Sequence, residues 1–178
     1  MSNLLTRSVN VVDDGRIVSI SFVVAGAPPV QQRPRMNCEH KKWVPTYYDP
    51  SKKMKKLWKG DLLTALTNYG ISSFPFFKSS KTDNMVSDGL RIECVFHISR
   101  RRKDYRSKMG KLFVKDDDIQ KFPATKDTDN MMKFVMDAYH DVLYDDDKCV
   151  VTLSATKKFL DESERESGPY STIRMTTI

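Results

Sequence analysis

The sequence predicts a single α+β domain, close to the α/β class, in which two main helices pack on a mixed β-sheet. Three observations predict it. Apolar and polar residues alternate in several segments, as they do in half-buried strands. Two further segments repeat apolar residues at helical spacing. Along the 178 residues these segments follow in the order strand, helix, strand, helix, strand, strand, within the length of one domain.

Alternation marks the predicted strands. The first runs from Arg16 to Val24, and the clearest covers Leu90 to Ser99, where five apolar residues alternate with polar ones. Val151 to Thr156 and Tyr170 to Ile178 supply the last two. The polar stretch between these two, Asp161 to Gly168, predicts a hairpin loop that would make them neighbours in the sheet.

The predicted helices have different charges. The first, Pro50 to Tyr69, places lysines outside its apolar stripe and should have a basic outer face. The second, Asp129 to Tyr144, has an acidic first turn, as the helix dipole favours, with Thr128 or Asp127 available as its N-cap. Both stripes should face the sheet.

Two segments lie outside these elements. Residues 1–15 precede the predicted domain of residues 16–178 as an N-terminal extension. Within the domain, residues 100–125 are densely charged, and we expect a long, mobile, basic loop, because long loops in compact domains usually serve function.

Composition limits the setting of the protein. No apolar run approaches the ~20 residues that span a bilayer, so no membrane association is expected. Met1 to Asn10 does not have the pattern of a signal peptide, which predicts a cytoplasmic protein. Cys38, Cys94 and Cys149 are widely spaced and fit reduced thiols.

Charge is segregated along the chain. The net charge is +7, and Gln31 to Gly60 contains nine Lys/Arg against two acids. Arg100 to Lys115 contains eight Lys/Arg against Asp104 alone. Between Asp127 and Asp147 the sign inverts, with seven aspartates against Lys133. Two basic arms and one acidic segment suggest a polyanionic partner.

Several carboxylates could bind a metal ion. Asp127 and Asp129 are two residues apart at a predicted helix start, and Lys133 is one turn beyond Asp129 on the same face. Asp146 and Asp147 follow the helix. Carboxylate oxygens are the ligands that Mg²⁺ requires for phosphodiester hydrolysis. Taken alone, the same aspartates are equally typical of helix caps and solvated turns.

Two regions together resemble the RusA family of Holliday-junction resolvases. The first is APPVQQRPRMN (Ala27 to Asn37), followed by TYYDPSKK, and the second is KDTDNMMKFVMDAYHDVLYDDDKCVV (Lys126 to Val151). The family typically shows RPR, then D-x-D-N-x-x-K-x-x-x-D-A-L, then D-D-x-x-V. The chain departs from this pattern at Tyr139, where the family usually has Leu, and by the added loop from Asp104 to Thr125.

The resemblance implies a role for each matching residue. Asp127, Asp129 and Asp147 would form a metal-binding catalytic triad for Mg²⁺, with Mn²⁺ as an alternative, and Lys133 would act as a base or stabilise charge on the phosphate. Asp146, Asn130 and Asp137 could support these ligands, although Asp137 could equally form a surface salt bridge. The residues expected to hold DNA are basic: Arg33, Arg35, Lys52, Lys53, Arg100, Arg101, Arg102, Lys103 and Lys126.

These expectations combine into one hypothesis. A metal-activated water attacks the scissile phosphorus in line and nicks branched DNA. The resemblance implies a homodimer, and a two-fold dimer matches the two-fold symmetry of a four-way junction. Two alternatives remain at this stage: a nuclease specific for flaps or forks, and a non-catalytic protein that binds branched DNA.

Overall fold

The computed structural model describes residues 9–13, 18–28, 35–37, 46–73, 75–77, 81–82, 85–86, 89–109, 111–115, 121–124 and 126–178. Of the residues expected to hold DNA, Arg33 lies outside this part of the chain, and Arg35 lies in it only as backbone. Cys38 is also outside it. Cys94 and Cys149 are buried, and both are free thiols.

In this described part of the chain, two α-helices and eleven strands are present, together with three short 3₁₀ helices. The helices are α1 (Lys52–Asn68) and α2 (Thr128–Tyr139). The strands, in chain order, are β1 (Val9–Asp13), β2 (Val18–Ala25), β3 (Arg35–Asn37), β4 (Thr46–Tyr48), β5 (Lys81–Thr82), β6 (Met85–Val86), β7 (Leu90–Ile98), β8 (Tyr105–Lys108), β9 (Lys111–Val114), β10 (Val150–Phe159) and β11 (Tyr170–Thr177).

The main sheet has five strands in the order β1-β2-β11-β7-β10. Strands β7 and β10 are parallel, and the other pairs are antiparallel. A parallel pair needs a crossover, and the chain provides it through α2. The mixed sheet with two main helices confirms the predicted fold class.

The predicted hairpin between the last two strands is wrong. Strand β11 pairs with β2 and β7 on its two sides, so β10 and β11 are not neighbours. The segment between them contains a short 3₁₀ helix, Glu162–Ser167, instead of a tight turn. Alternation predicts which face of a strand is buried, but it does not predict the partner strand.

Both helices bury residues of their predicted apolar stripes, but α2 is shorter than expected. Helix α2 buries the side chains that face the sheet and α1, among them Met131, Phe134 and Val135. It ends at Tyr139 instead of Tyr144, because the chain turns sharply at Asp141, whose φ is +66° and whose backbone N–H bonds the carbonyl of Tyr144. In α1 the buried residues are Trp58, Leu62 and Leu66.

Two segments outside the predicted helices and strands contain strands. Within residues 1–15, β1 pairs with β2 and forms an edge of the sheet. Within residues 100–125, β8 and β9 form an antiparallel hairpin, so the expectation of a simple loop is wrong there. No helix in the described part of the chain is long and apolar enough to cross a membrane.

Candidate active site

The turn before α2 carries the first predicted acids. Asp127 is the N-cap of α2 and has extended backbone, and Asp129 lies in the first helical turn. Because β7 and β10 are parallel and α2 returns between them, the start of α2 lies at the end of the sheet where both strands finish. Both carboxylates are exposed there.

Two lysines hold this turn in place. Lys126 has φ +72°, in the left-handed region that non-glycine residues rarely adopt. Its ammonium donates to the carbonyl oxygen of Pro28 at 2.8 Å, and the ammonium of Lys157 donates to the carbonyl oxygen of Lys126 at 2.8 Å. Burial lowers the pKa of Lys126. Lys126 was expected to hold DNA, but here its ammonium binds Pro28, three residues after β2, and links that segment to the turn before Asp127.

The helix start presents a pair of carboxylates and an amine. Asn130 donates to the Asp127 carboxylate at 3.3 Å, which orients that side chain. Asp129 and Lys133 are exposed and four residues apart, so they share one helix face. Three of the predicted residues are therefore close to Asp127 along the first turns of α2.

Asp137 forms an ion pair. Its carboxylate lies 2.8 Å from the ammonium of Lys55, which also lies 2.8 Å from the carboxylate of Asp49. Burial would lower the pKa of Lys55, but its hydrogen bonds to Asp137 and Asp49 outweigh burial and raise it. Burial would likewise raise the pKa of Asp49, yet Lys55 and the backbone N–H of Ser51 hold it below 3.8. Lys55 thus joins α1 to α2.

Asp147 lies near the other end of α2. The buried hydroxyl of Tyr144 donates to the carbonyl oxygen of Met136 at 2.9 Å, and the Asp147 carboxylate lies beside the same hydroxyl. Burial first, and then the charge of Asp147, raise the pKa of Tyr144. Met136 is seven residues beyond Asp129, so Asp147 is displaced by about 10 Å along the helix axis.

Asp146 caps the short helix that follows it. It is the N-cap of the 3₁₀ helix Asp147–Cys149, and its carboxylate accepts a hydrogen bond from the backbone N–H of Lys148 at 3.0 Å. Its backbone carbonyl accepts from Cys149. Asp146 therefore fixes the chain that presents Asp147 just before β10.

The donor atoms suit a hard cation, but one chain does not gather all three expected ligands. Among the described residues, no three Asp, Glu, His or Cys side chains are grouped closely enough to hold one metal ion. Mg²⁺ commonly keeps several waters and uses one or two carboxylates together with substrate phosphates. The exposed pair Asp127 and Asp129 fits that mode. Asp147, the third expected ligand, is separated from this pair within one chain.

Basic side chains approach the same end of the sheet. A cavity of about 360 Å³ opens where β7 ends, and cationic residues dominate its lining together with two phenylalanines: Arg100, Arg101, Lys103, Lys115, Lys121, Phe122 and Phe159. Residues 121–124, which also line it, shortly precede Asp127 in the sequence. Arg102 is exposed nearby, and Lys52 and Lys53 are exposed at the start of α1.

Exposed carboxylates at a helix start, a nearby amine and a cationic cavity are features of enzymes that cut phosphodiesters. The family model described as Endodeoxyribonuclease RusA matches residues 25–166. The chain therefore belongs to the RusA endodeoxyribonuclease family, a family of DNA endonucleases, which confirms the resemblance seen in the sequence. No curated protein is similar enough in sequence to count as a match.

Several residues of the site carry no signal in the sequence. Lys157 and Tyr144 donate to the backbone carbonyls of Lys126 and Met136. Pro28 accepts from Lys126 through its own carbonyl, and Lys55 binds Asp137. Alternation along β10 places Lys157 and Lys158 on opposite faces of the sheet, and this is the only indication in the sequence that their roles differ. Nothing local indicates which carbonyl the Lys157 ammonium reaches.

Proposed function

We propose that this protein is a Mg²⁺-dependent, structure-selective endodeoxyribonuclease that resolves four-way DNA junctions by paired symmetric nicks, in DNA recombination and repair in the cytoplasm. The family match supports DNA cleavage. The observation that carries the rest is the exposed pair Asp127 and Asp129 at the start of α2, beside a cationic cavity. Such a pair requires a cation when phosphates approach.

The residues of α2 divide the work. Asp127 and Asp129 would hold the divalent ion, and Asn130 would keep the Asp127 carboxylate oriented. A divalent cation at this place supplies a nucleophile at neutral pH and neutralises charge on the phosphate. Lys133 lies one turn from Asp129 and would stabilise charge that develops on the phosphate oxygens.

A homodimer would complete the ligand set. Among the described strands, β10 is an edge of the main sheet and pairs only with β7, and its Val151 and Leu153 side chains are 58% and 50% exposed. Proteins normally cover such edges. We propose that two β10 strands pair across a two-fold axis, which also suits the symmetry of the substrate.

This pairing would solve the separation of Asp147. Asp147 lies just before the start of β10, whereas Lys157, near the end of β10, binds the residue before Asp127. Antiparallel pairing about a two-fold axis sets the start of one strand beside the end of the other. Asp147 of the partner subunit would then approach Asp127 and Asp129.

Cleavage of defined branched DNA tests the activity. Labelled four-way junction, flap, fork and linear duplex are incubated with the protein in Mg²⁺, in Mn²⁺ and in chelator. We expect symmetric nicks in the junction, lost in chelator and in Asp129→Asn, and kept in Glu166→Gln, a matched change of an exposed carboxylate in the 3₁₀ helix before β11. Preferred cutting of flaps or forks would contradict junction resolution. Binding without any cutting would contradict the enzyme.

Mixed dimers test the shared site. Asp129→Asn and Asp147→Asn proteins are inactive alone on this proposal. If the ligands come from both subunits, a mixed dimer has one site with both substitutions and one site with neither, so activity returns. If each site is built within one chain, every site in the mixture carries one substitution, and the mixture stays inactive.

A further inference from the structure

We propose that the β8–β9 hairpin is a clamp for a duplex arm of the DNA, separate from the residues that cut it. The inference rests on the proposed function, since it takes branched DNA as the ligand. It is carried by three observations: the two faces of the hairpin differ in chemistry, its single carboxylate is turned inward, and its base borders the cationic cavity.

The strand register separates the two faces. Arg106 lies opposite Phe113, and Ser107 opposite Leu112. Directly opposed residues share a face, and faces alternate along each strand. Arg106, Lys108 and Phe113 therefore project from one face, and all three are exposed.

The other face is turned to the body of the domain. The Tyr105 ring lies under the guanidinium of Arg165, 4.5 Å from the ring centroid. Leu112 lines a cavity of about 450 Å³ together with Leu160 and Arg165. Tyr105 and Leu112 thus lie on the side of the hairpin nearer the domain, although Leu112 remains 41% exposed. The face with Arg106 and Lys108 is the one that points away from the domain.

The base of the hairpin is fixed and leaves no exposed acid. Asp104 is the only carboxylate between Arg100 and Lys115, and it is buried. Its side chain accepts from the backbone N–H of Arg101 at 2.9 Å, and its carbonyl accepts from the backbone N–H of Lys115 at 3.0 Å. The segment therefore displays only positive charge, on a ribbon whose two ends are tied together.

The hairpin continues the cationic surface away from the candidate active site. Arg101, Asp104 and Lys115 at its base also line the cavity that extends to residues 121–124. Cations therefore continue from the outer face of the hairpin into the cavity, at the end of the sheet where α2 begins. A two-stranded ribbon fits the major groove of duplex DNA, and Lys and Arg on it bind phosphates without reading sequence.

Binding to junctions with short and long arms tests the clamp. All proteins carry Asp129→Asn to prevent cutting. The test variant adds Arg106→Gln and Lys108→Gln, and the control adds Arg91→Gln and Arg174→Gln, which remove the same charge from exposed positions on the main sheet. For long arms we expect the test variant to bind about 10-fold more weakly. We also expect its slope of log affinity against log salt to fall by about 2, one per lost phosphate contact.

The outcomes separate the clamp from the nuclease. Equal affinity losses in test and control variants, or the same loss for short and long arms, would overturn the clamp even if the wild type cuts junctions. If the test variant loses affinity only for junctions with long arms, but the wild-type protein never cuts any DNA, the clamp stands and the proposed function is overturned. Lys108→Glu alone, at an exposed position, repeats the test should the double variant unfold.

Discussion

The ammonium of Lys157 lies 2.8 Å from the carbonyl oxygen of Lys126, the residue before Asp127. Lys126 in turn reaches Pro28, in the segment that follows β2. Strand β10 and this segment therefore hold the turn that presents the acidic pair, in which Lys126 has a φ of +72°, a backbone conformation that costs energy. The position of Asp127 depends on these two amines.

We predict that Lys157→Met lowers junction cleavage about 10-fold while junction binding stays unchanged, because small displacements of catalytic groups are costly. The Mg²⁺ concentration for half-maximal rate should rise, since the ligands are less well placed. Lys158→Met, a neighbouring exposed lysine on the same strand, is the control. A Lys157→Met protein with wild-type rate and Mg²⁺ dependence would show that the turn holds its shape without this bond.

We predict that Asp137 stabilises the fold and takes no part in cleavage. Asp137→Asn removes a partly exposed ion pair with Lys55, so the free energy of unfolding should fall by about 1 kcal/mol or less. Cleavage at a temperature where the variant is folded should be unchanged. Asp129→Asn, on the same helix, should lose roughly 100-fold or more. A similar loss in Asp137→Asn would place it in the reaction.

We predict opposite effects of removing two buried hydroxyls. Within the described part of the chain, the Tyr139 hydroxyl is buried without a hydrogen-bond partner. Tyr139→Phe keeps the ring against Phe22 and should leave stability unchanged or raise it by about 1 kcal/mol. Tyr144→Phe loses the bond to Met136 and should cost about 1 kcal/mol. Thermal melting of both variants measures these changes in stability. A lower melting temperature for Tyr139→Phe would show that the Tyr139 hydroxyl has a hydrogen-bond partner, such as a bound water.

We predict that acid weakens the fold through His97. Burial first, and the charge of Lys158 next, hold the pKa of His97 below 6.5 despite Glu164 and Asp161. The unfolded chain then binds the proton more readily, so stability is full above about pH 6.5 and falls as the pH drops through the lowered folded-state value.

Urea unfolding at several pH values measures this effect. His97→Phe should flatten the loss of stability between pH 7 and the lowered pKa, since the phenyl ring can still stack on Tyr170. His140→Gln, which leaves His97 in place, should keep the wild-type slope. An unchanged slope in His97→Phe would assign the acid sensitivity to other groups.

Local patterns predicted the elements well and their arrangement poorly. The alternation of Leu90 to Ile98 and the stripe from Met131 to Ala138 both mark faces that are buried. Alternation carries no information about neighbours, so β11 between β2 and β7 could not be predicted. The β8–β9 hairpin was missed because its dense charges obscure the apolar positions at Leu112 and Val114.

The same limit applies to the site. The start of α2 with Asp127 and Asp129 could be predicted, because spacing on a helix fixes which side chains are near. Lys55 and Asp137 are 82 residues apart in sequence, and Lys126 and Lys157 are 31 apart. Such contacts depend on how the helices and strands pack, which spacing along the chain does not determine. The family pattern implies that Asp147 lies close to Asp127. One chain does not bring the two residues together, so their proximity stays a prediction for the dimer.

The last strand along the chain occupies the middle of the sheet. Strands β2 and β7 both precede β11 in the chain, and β11 lies between them in the sheet and hydrogen-bonds to both. A ribosome-bound chain that lacks β11 would present two unpaired strand edges to its surroundings, which favours aggregation. The sheet can therefore close only after β11 has been synthesised, and variants that lack Tyr170–Thr177 should be insoluble and inactive.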